Sequence, residues 1–444
     1  MTSADYRAVE AAILSRAGES LIDPTLERMQ AVTELLGQPQ RSFATIHVTG
    51  TNGKTSTARM IEALLGERQL RVGRYTSPHL ETMRERIVVD GEPVSEERFV
   101  EIYADVKPFV DMVDAQYDVP MSFFEVITTM AFAAFADAPV DVAVVEVGLG
   151  GLWDATNVID AAVSVITPIA IDHTEYLPDT LEGIAEEKSG IIKPNSLVVL
   201  AQQSVAAAEA VLQRVAEVDA RVAREGIEFG VAHADTAVGG QQLSLKGLHG
   251  SYEDILLPLF GQHQAGNAAV ALAAVEAFAA PVEGDAQLDP ELVRQALAEV
   301  RTPGRMEVVR RSPTMLVDAA HNPAGMAAAV ATIEESFGFT RLVGVVAIMA
   351  NKDIVGILEP LEPVLAALVV TRNSSPRSLA SAELAETAAD IFGPDRVYVA
   401  DRMDDAIDQA VTLAEETGQF GGNGIIVTGS VVTAGDARHL LGGE

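Results

Sequence analysis

Ala44 to Leu65 reads ATIHVTGTNGKTSTARMIEALL, and its three parts decide the fold. The apolar, β-branched run FATIHV predicts a buried strand, TGTNGKTS a glycine turn, and TARMIEALLGE a helix with apolar residues at i, i+3 and i+4. A strand, a glycine turn and a helix in that order aim backbone N–H groups and a helix N-terminus at an anion. Lys54, Thr55 and Ser56 at the helix start add a cation and two hydroxyls. The widespread phosphate loop has a glycine five residues before its Gly-Lys pair. Here that position is Val48, and the glycine is Gly50, three before Gly53. The spacing is a shortened variant, with Gly50, Thr51, Asn52, Gly53, Lys54, Thr55 and Ser56 as candidate nucleotide-binding residues.

Outward from this segment, short β-branched runs alternate with helical patterns: RVGRYT, VDVAVVEVG, AAVSVIT and SLVVLA. That alternation predicts an α/β domain with a mostly parallel sheet covered by helices, of P-loop ATPase type. After about residue 300 the pattern restarts with TMLVDAA, RLVGVVAIM, AALVVT, DRVYVA and GIIVTGS, a second and smaller Rossmann-like α/β unit. Pro303 and Gly304 interrupt the helical stretch between them. The expected organisation is therefore domain 1–299, linker 300–305 and domain 306–444. Residues 220 to 258 look like short strands and turns, a β excursion on the first domain.

A chain of 444 residues exceeds one core of about 250–300 residues, in keeping with two domains. Its net charge of −33 repels nucleic acid and anionic membrane, and no Lys/Arg run offsets it. With no cysteine, thiolate metal sites, cysteine nucleophiles and disulfides are excluded, and nothing points to an oxidising compartment. The N-terminus MTSADYRAVEAAILSRAGES lacks the basic and apolar regions of a secretory signal, and VITTMAFAAFA is too short to span a bilayer. The expectation is a soluble cytoplasmic protein.

On the parallel-sheet reading, Lys54, Ser77, Glu146 and His173 all follow strands, so they converge on one C-terminal rim, where ligands collect in such folds. Taken singly each has a plainer reading: Glu146 as a salt-bridged structural acid, Ser77 and His173 as loop residues. Lys188 lies near the end of the helical stretch LEGIAEEKSG, where a lysine favours the helix dipole and Gly190 caps. Phe124 reads as core and Asp154 as a turn or N-cap residue.

The shortened loop GTNGKT resembles the ATP loop of the Mur ligase superfamily. YTSPHL (75–80), FFEV (123–126), EVGLGG…DATN (146–157), DHTEYL (172–177), EEKSGIIK (186–193), GQHQAGNAAVA (261–271), PGRME (303–307) and DAAHNPAG (318–325) resemble its folylpolyglutamate synthase and dihydrofolate synthase family. The resemblance covers most of the chain. It implies ATP-dependent addition of L-glutamate to dihydropteroate or a reduced folate through an acyl phosphate, with release of ADP and phosphate. It casts Lys54 as the γ-phosphate cation, Ser77, Glu146 and His173 as Mg²⁺ ligands, and Lys188 as a carbamylated residue orienting the metal. Asn267 and Arg305 resemble the residues that bind ATP from the two sides of the domain interface, and Asp318 and His321 its ribose and base contacts. Phe124 and Asp154 take the pterin side. Arg377, in SSPRSL, is a candidate partner for the glutamate carboxylate. The resemblance also implies K⁺ or another monovalent cation as an added cofactor, and monomers are common among the resembling enzymes.

Three departures bear on the acceptor pocket and on loop geometry: Leu152 where the family commonly has arginine, Pro178 where glycine is usual, and Ala319 for another common glycine. A peptidoglycan-type Mur ligase would use the same loop and metal site but carries a whole domain ahead of the ATP loop, whereas fewer than 50 residues precede it here. A non-catalytic ATP-binding sensor on the same fold is the other alternative.

Overall fold

A computed structural model of the chain describes residues 3–17, 23–279, 287–416 and 422–442. Two compact units emerge. Met1–Ala234, Gln242–Leu257 and Ala265–Val300 make one; Asp235–Gln241, Pro258–Gln264 and Arg301–Glu444 make the other.

In the first unit the β-branched runs become β1 (Ala44–Thr49), β2 (Val72–Tyr75), β3 (Ile87–Val89), β4 (Glu92–Pro93), β5 (Val142–Glu146), β6 (Val163–Ile166), β7 (Leu197–Leu200) and β8 (Arg221–Arg224). They form one sheet in the order β4-β3-β2-β5-β1-β6-β7-β8. From β2 to β8 every pairing is parallel, and only the β3 and β4 edge is antiparallel. Parallel strands covered on both faces need apolar side chains on both faces, which is why β5 is buried at all five positions and reads VAVVE without alternation. Parallel order also sends every strand's C-terminus to one edge, so the loops after β1, β2, β5 and β6 become neighbours.

The excursion after β8 is a separate three-stranded sheet, β11-β10-β9, from β9 (Gly230–Ala237), β10 (Gly240–Lys246) and β11 (Ser251–Leu257). The second unit is built on β12 (Glu307–Arg311), β13 (Thr314–Val317), β14 (Arg341–Val346), β15 (Ala367–Val370), β16 (Val397–Val399) and β17 (Asn423–Thr428), in the order β12-β13-β17-β14-β15-β16. All its pairings are parallel except β12 with β13. The α/β architecture expected from the strand and helix alternation is thus present in both units. No helix among the described residues is long and apolar enough to cross a membrane.

One polar residue stands out in the first sheet. His47, at the centre of β1, is fully buried, and burial followed by the charge of Lys193 pushes its pKa down to about 3. Its Nε2 lies 2.8 Å from Thr156 Oγ1, whose own proton goes to Asp154 Oδ1. The imidazole is therefore the neutral Nε2–H tautomer, donating to threonine. Unfolded, the same ring titrates near 6.5, so between that value and about 3 the unfolded chain binds more protons. The stability His47 contributes is complete above 6.5 and is lost as the pH falls toward 3. Urea midpoints measured between pH 7 and 5 should fall less steeply for His47→Gln than for the wild type. Parallel slopes would mean the ring has no part in acid sensitivity.

Candidate functional site

The phosphate loop starts where β1 ends. Gly50 sits at φ 144°, and a Cβ there would stand 1.9 Å from Thr167 Oγ1. Gly53, at φ 87°, ends the turn, and a Cβ there would meet Asn267 Oδ1 at 2.5 Å. Both glycines are thus required by backbone geometry and by close neighbours. The N–H groups of Thr51 and Asn52 donate to Pro168 O (3.0 and 3.2 Å), while Thr51 Oγ1 donates to Ala170 O and accepts from Ala170 N. The loop after β6 therefore braces the loop after β1. The helix Lys54–Gly66 begins at once, with Thr57 N donating to Gly53 O and Ser56 buried. Lys54 Nζ donates to Gly50 O (3.1 Å) and Thr51 O (3.2 Å), folding over the loop.

Glu146, the last residue of β5, is 1% exposed. A carboxylate at that depth needs donors, and it has them: Thr55 Oγ1 at 3.0 Å from Oε1 and 2.9 Å from Oε2, and Ser77 N at 3.3 Å from Oε2. Thr55, Ser77 and Glu146 thus come together from the helix after β1, the loop after β2 and the end of β5. Two hydroxyl-bearing residues around a buried carboxylate make an oxygen-rich, anionic cluster, the donor chemistry that a hard cation such as Mg²⁺ takes.

His173 follows β6 in a left-handed turn, φ 55°. Asp172, with a side chain 7% exposed, stabilises that turn by accepting the His173 N–H at 2.8 Å, and its other oxygen lies 3.8 Å from His173 Nε2. Lys188, in the last turn of the helix Leu181–Ser189, is buried. Burial, and then the charge of Lys54, bring its pKa down to about 7, against the opposing pull of Asp172, Asp154 and Glu187. Lys54, Asp172 and Lys188 are therefore one electrostatic group, and Asp172 joins His173 to it. Asp172 was not picked out by sequence reading, although it directly precedes His173.

At the start of its helix, Phe123 is core while Phe124 is only partly buried, with its ring centroid 5.9 Å from that of Tyr75. Ser122 caps their helix, Phe123–Asp137, through a reciprocal bond with Glu125. Asp154 is 3% exposed; its carboxylate accepts from Leu149 N and Thr156 N at 2.9 Å each and from Thr156 Oγ1, and burial raises its pKa against those bonds. It holds the loop after β5 from within, as the turn and N-cap reading of the sequence has it. Leu152 is exposed and Trp153 packs beside the apolar cluster of β6 and β7.

In the second unit, Asp318 follows β13 and accepts from Met306 N and Ala320 N at 2.8 Å each, while Ala319 N donates to Gly304 O. The Arg305 turn is thereby tied to the end of β13. His321 Nδ1 lies 2.9 Å from Ala319 O, and Asn322 caps the helix Pro323–Ser336. Arg377 is exposed on the loop after β15. That loop is held by Asn373, which donates to Ser430 Oγ and Thr433 Oγ1 at 3.1 Å each, and by Ser374, whose hydroxyl donates to Asp436. These partners come from the chain after β17, too distant in sequence for spacing to reveal them.

A family model of the Mur ligase middle domain matches residues 48–275, and one of the Mur ligase glutamate ligase domain matches residues 304–431. The chain is 50% identical over 455 aligned positions to the dihydrofolate synthase/folylpolyglutamate synthase of Mycobacterium tuberculosis, covering 98% of this chain and 93% of the relative. It is 33% identical to the protein of the same name from Bacillus subtilis, with 95% of each covered. Among solved structures, Mycobacterium tuberculosis folylpolyglutamate synthase complexed with ADP superposes with a TM-score of 0.95 at 50% identity, over 99% of both chains. Escherichia coli FolC in complex with DHPP and ADP gives 0.86 at 28% identity, over 98% of this chain and 97% of that one.

Proposed function

Because the chain belongs to the folylpolyglutamate synthase/dihydrofolate synthase family of Mur ligases, it is an ATP-dependent glutamate ligase of folate metabolism, and we propose that it serves both dihydropteroate and reduced folates as acceptors. The relatives described are named for folate chemistry, which leaves the peptidoglycan-type and sensor alternatives without support of their own. The observation that carries the site reading is the joining of Thr55, Ser77 and Glu146 at the strand ends that also present Lys54.

In the proposed mechanism a carboxylate oxygen of the acceptor attacks the γ-phosphorus of ATP, the bond to the β-phosphate oxygen breaks, and ADP leaves. The resulting acyl phosphate is attacked at its carbonyl carbon by the amine of L-glutamate, which loses a proton as the amide forms and phosphate departs. Phosphoryl transfer of this kind is catalysed by positioning and charge neutralisation. Lys54 moves from the loop carbonyls to the γ-phosphate, and Gly50 to Ser56 hold the nucleotide. Ser77, Glu146 and His173 would hold Mg²⁺, which when bound would neutralise phosphate charge. Lys188, whose pKa burial and then Lys54 bring down to about 7, holds a substantial share of its nitrogen as the free amine near neutral pH; adding through Nζ to CO₂ with loss of a proton, it would leave a carbamate anion placed to orient Mg²⁺. Asn267, Arg305, Asp318 and His321 serve the nucleotide, Phe124 and Asp154 the pterin side, and Arg377 the glutamate carboxylate. The domains 1–299 and 306–444 are the ATP-binding and glutamate ligase parts, and the enzyme works as a cytoplasmic monomer, with K⁺ as an added cation.

ADP release by purified protein with ATP, Mg²⁺ and L-glutamate tests this against dihydropteroate, tetrahydrofolate and no acceptor. Acceptor-dependent release is expected with both. Release with one alone would fix the single step served, and release with neither, in protein that binds ATP, would sink the folate reading.

A further inference from the structure

We infer that Asn157 is a positioning residue for Lys188, acting as a clamp between the loop after β5 and the end of the helix that carries the lysine. The inference rests on the proposed role of Lys188 and adds the device that holds it.

The last carbonyls of a helix have no partners within it. In Leu181–Ser189 the carbonyl of Glu187, and in the turn that follows that of Gly190, are met by residues of the loop after β5. Leu152 N donates to Glu187 O at 2.9 Å, and Glu187 Oε1 accepts from the same N–H at 2.9 Å. Asn157 Nδ2 then spends both of its hydrogens on the joint, one on Leu152 O at 2.9 Å and one on Gly190 O at 3.2 Å. The side chain is present for its donors, because its buried Oδ1 has no hydrogen-bond partner among the described residues. With both N–H groups committed to carbonyls, the carboxamide cannot be turned over without facing oxygen against oxygen.

The two backbones touch at this point. A Cβ at Gly190 would stand 2.5 Å from Leu152 Cα, and one at Gly151 would stand 2.7 Å from Lys188 O. Gly190 has an ordinary helical φ of −58°, so its glycine answers to this contact and not to a left-handed cap. Asn157 is itself fixed from behind: its N–H donates to Asp154 O at 2.8 Å, and Lys193 Nζ donates to its carbonyl at 3.1 Å. Lys188 is two residues before Gly190, so its position follows the joint. Without the clamp, the turn after the helix loses its bond from Asn157 and the loop loses the one that fixes Leu152, so the joint opens locally and the ammonium that burial disfavours gains water.

The experiment compares wild type with Asn157→Ala, Asn157→Ser and Asn157→Asp in the full chain. Lys188 is pulse-labelled with acetic anhydride and read by peptide mass spectrometry, alongside kcat, the KM for ATP, and the response of activity to added bicarbonate. The expected result is labelling about 10-fold faster in Asn157→Ala, with kcat about 100-fold lower and KM for ATP within about twofold. Asn157→Ser, with one donor, should fall between, and Asn157→Asp, which sets a carboxylate against two carbonyls, should be the most labelled. Variants that lose thermal stability but label Lys188 at the wild-type rate and keep kcat per folded molecule would overturn the clamp. If Asn157→Ala does not fold, Asn157→Ser decides by the same two readouts. A wild type indifferent to bicarbonate would count against the carbamate alone, since labelling reads the joint directly.

Discussion

Lys188→Ala should lose ligation by about 1,000-fold in kcat while binding ADP within a few-fold of wild type, a loss of the size seen when one preorganised charged group is removed from an active site. The side chain is buried and electrostatically coupled to Lys54 and Asp172, so its charge state is felt by Lys54, the residue proposed to meet the γ-phosphate. The wild-type rate should also fall as the pH drops below about 7, because protonation removes the nitrogen lone pair that adds to CO₂. Added bicarbonate should recover part of that loss in wild type and nothing in Lys188→Ala. A variant that retained a tenth of wild-type turnover would reduce Lys188 to a capping cation of its helix.

Glu146→Gln is expected to raise the Mg²⁺ concentration for half-maximal ADP release by about 100-fold or more, since loss of even an outer-shell partner of a metal ligand costs about 10- to 100-fold. Glutamine keeps the shape and removes the charge. Thr55 Oγ1, which now reaches both carboxylate oxygens, would face one oxygen and one NH₂ group, so the hydroxyl also loses its fixed direction. Titration with Mn²⁺ followed by electron paramagnetic resonance reads the binding loss without turnover. An unchanged Mn²⁺ affinity would make Glu146 a structural acid that merely ties β5 to the helix Lys54–Gly66.

Much of this was legible in the sequence because the physics behind it is local. The run FATIHV had to be a strand buried on both faces, and the shortened glycine turn had to follow it. Once the strands were read as parallel, Lys54, Ser77, Glu146 and His173 had to share an edge. What escaped was set by contacts between distant segments. Asn157 meets Gly190 across 33 positions, and only the fold brings them together. Gly190 looked like an ordinary helix stop, yet its dihedral is unexceptional and its smallness is demanded by Leu152. Asp154 admitted two readings from sequence, and the structure shows how fully its carboxylate is engaged by Leu149 and Thr156. The place of His47 within a strand followed from FATIHV, but its threonine partner, 109 positions away, did not.

If Lys54 serves the γ-phosphate as proposed, its place on the loop has a kinetic meaning. Its ammonium donates to Gly50 O and Thr51 O, so a nucleotide would have to draw it away from two carbonyls. A triphosphate would present the terminal charge that compensates for them, and a diphosphate would not. After transfer the lysine would return to the loop, and each cycle would end with an escapement that resets without outside help.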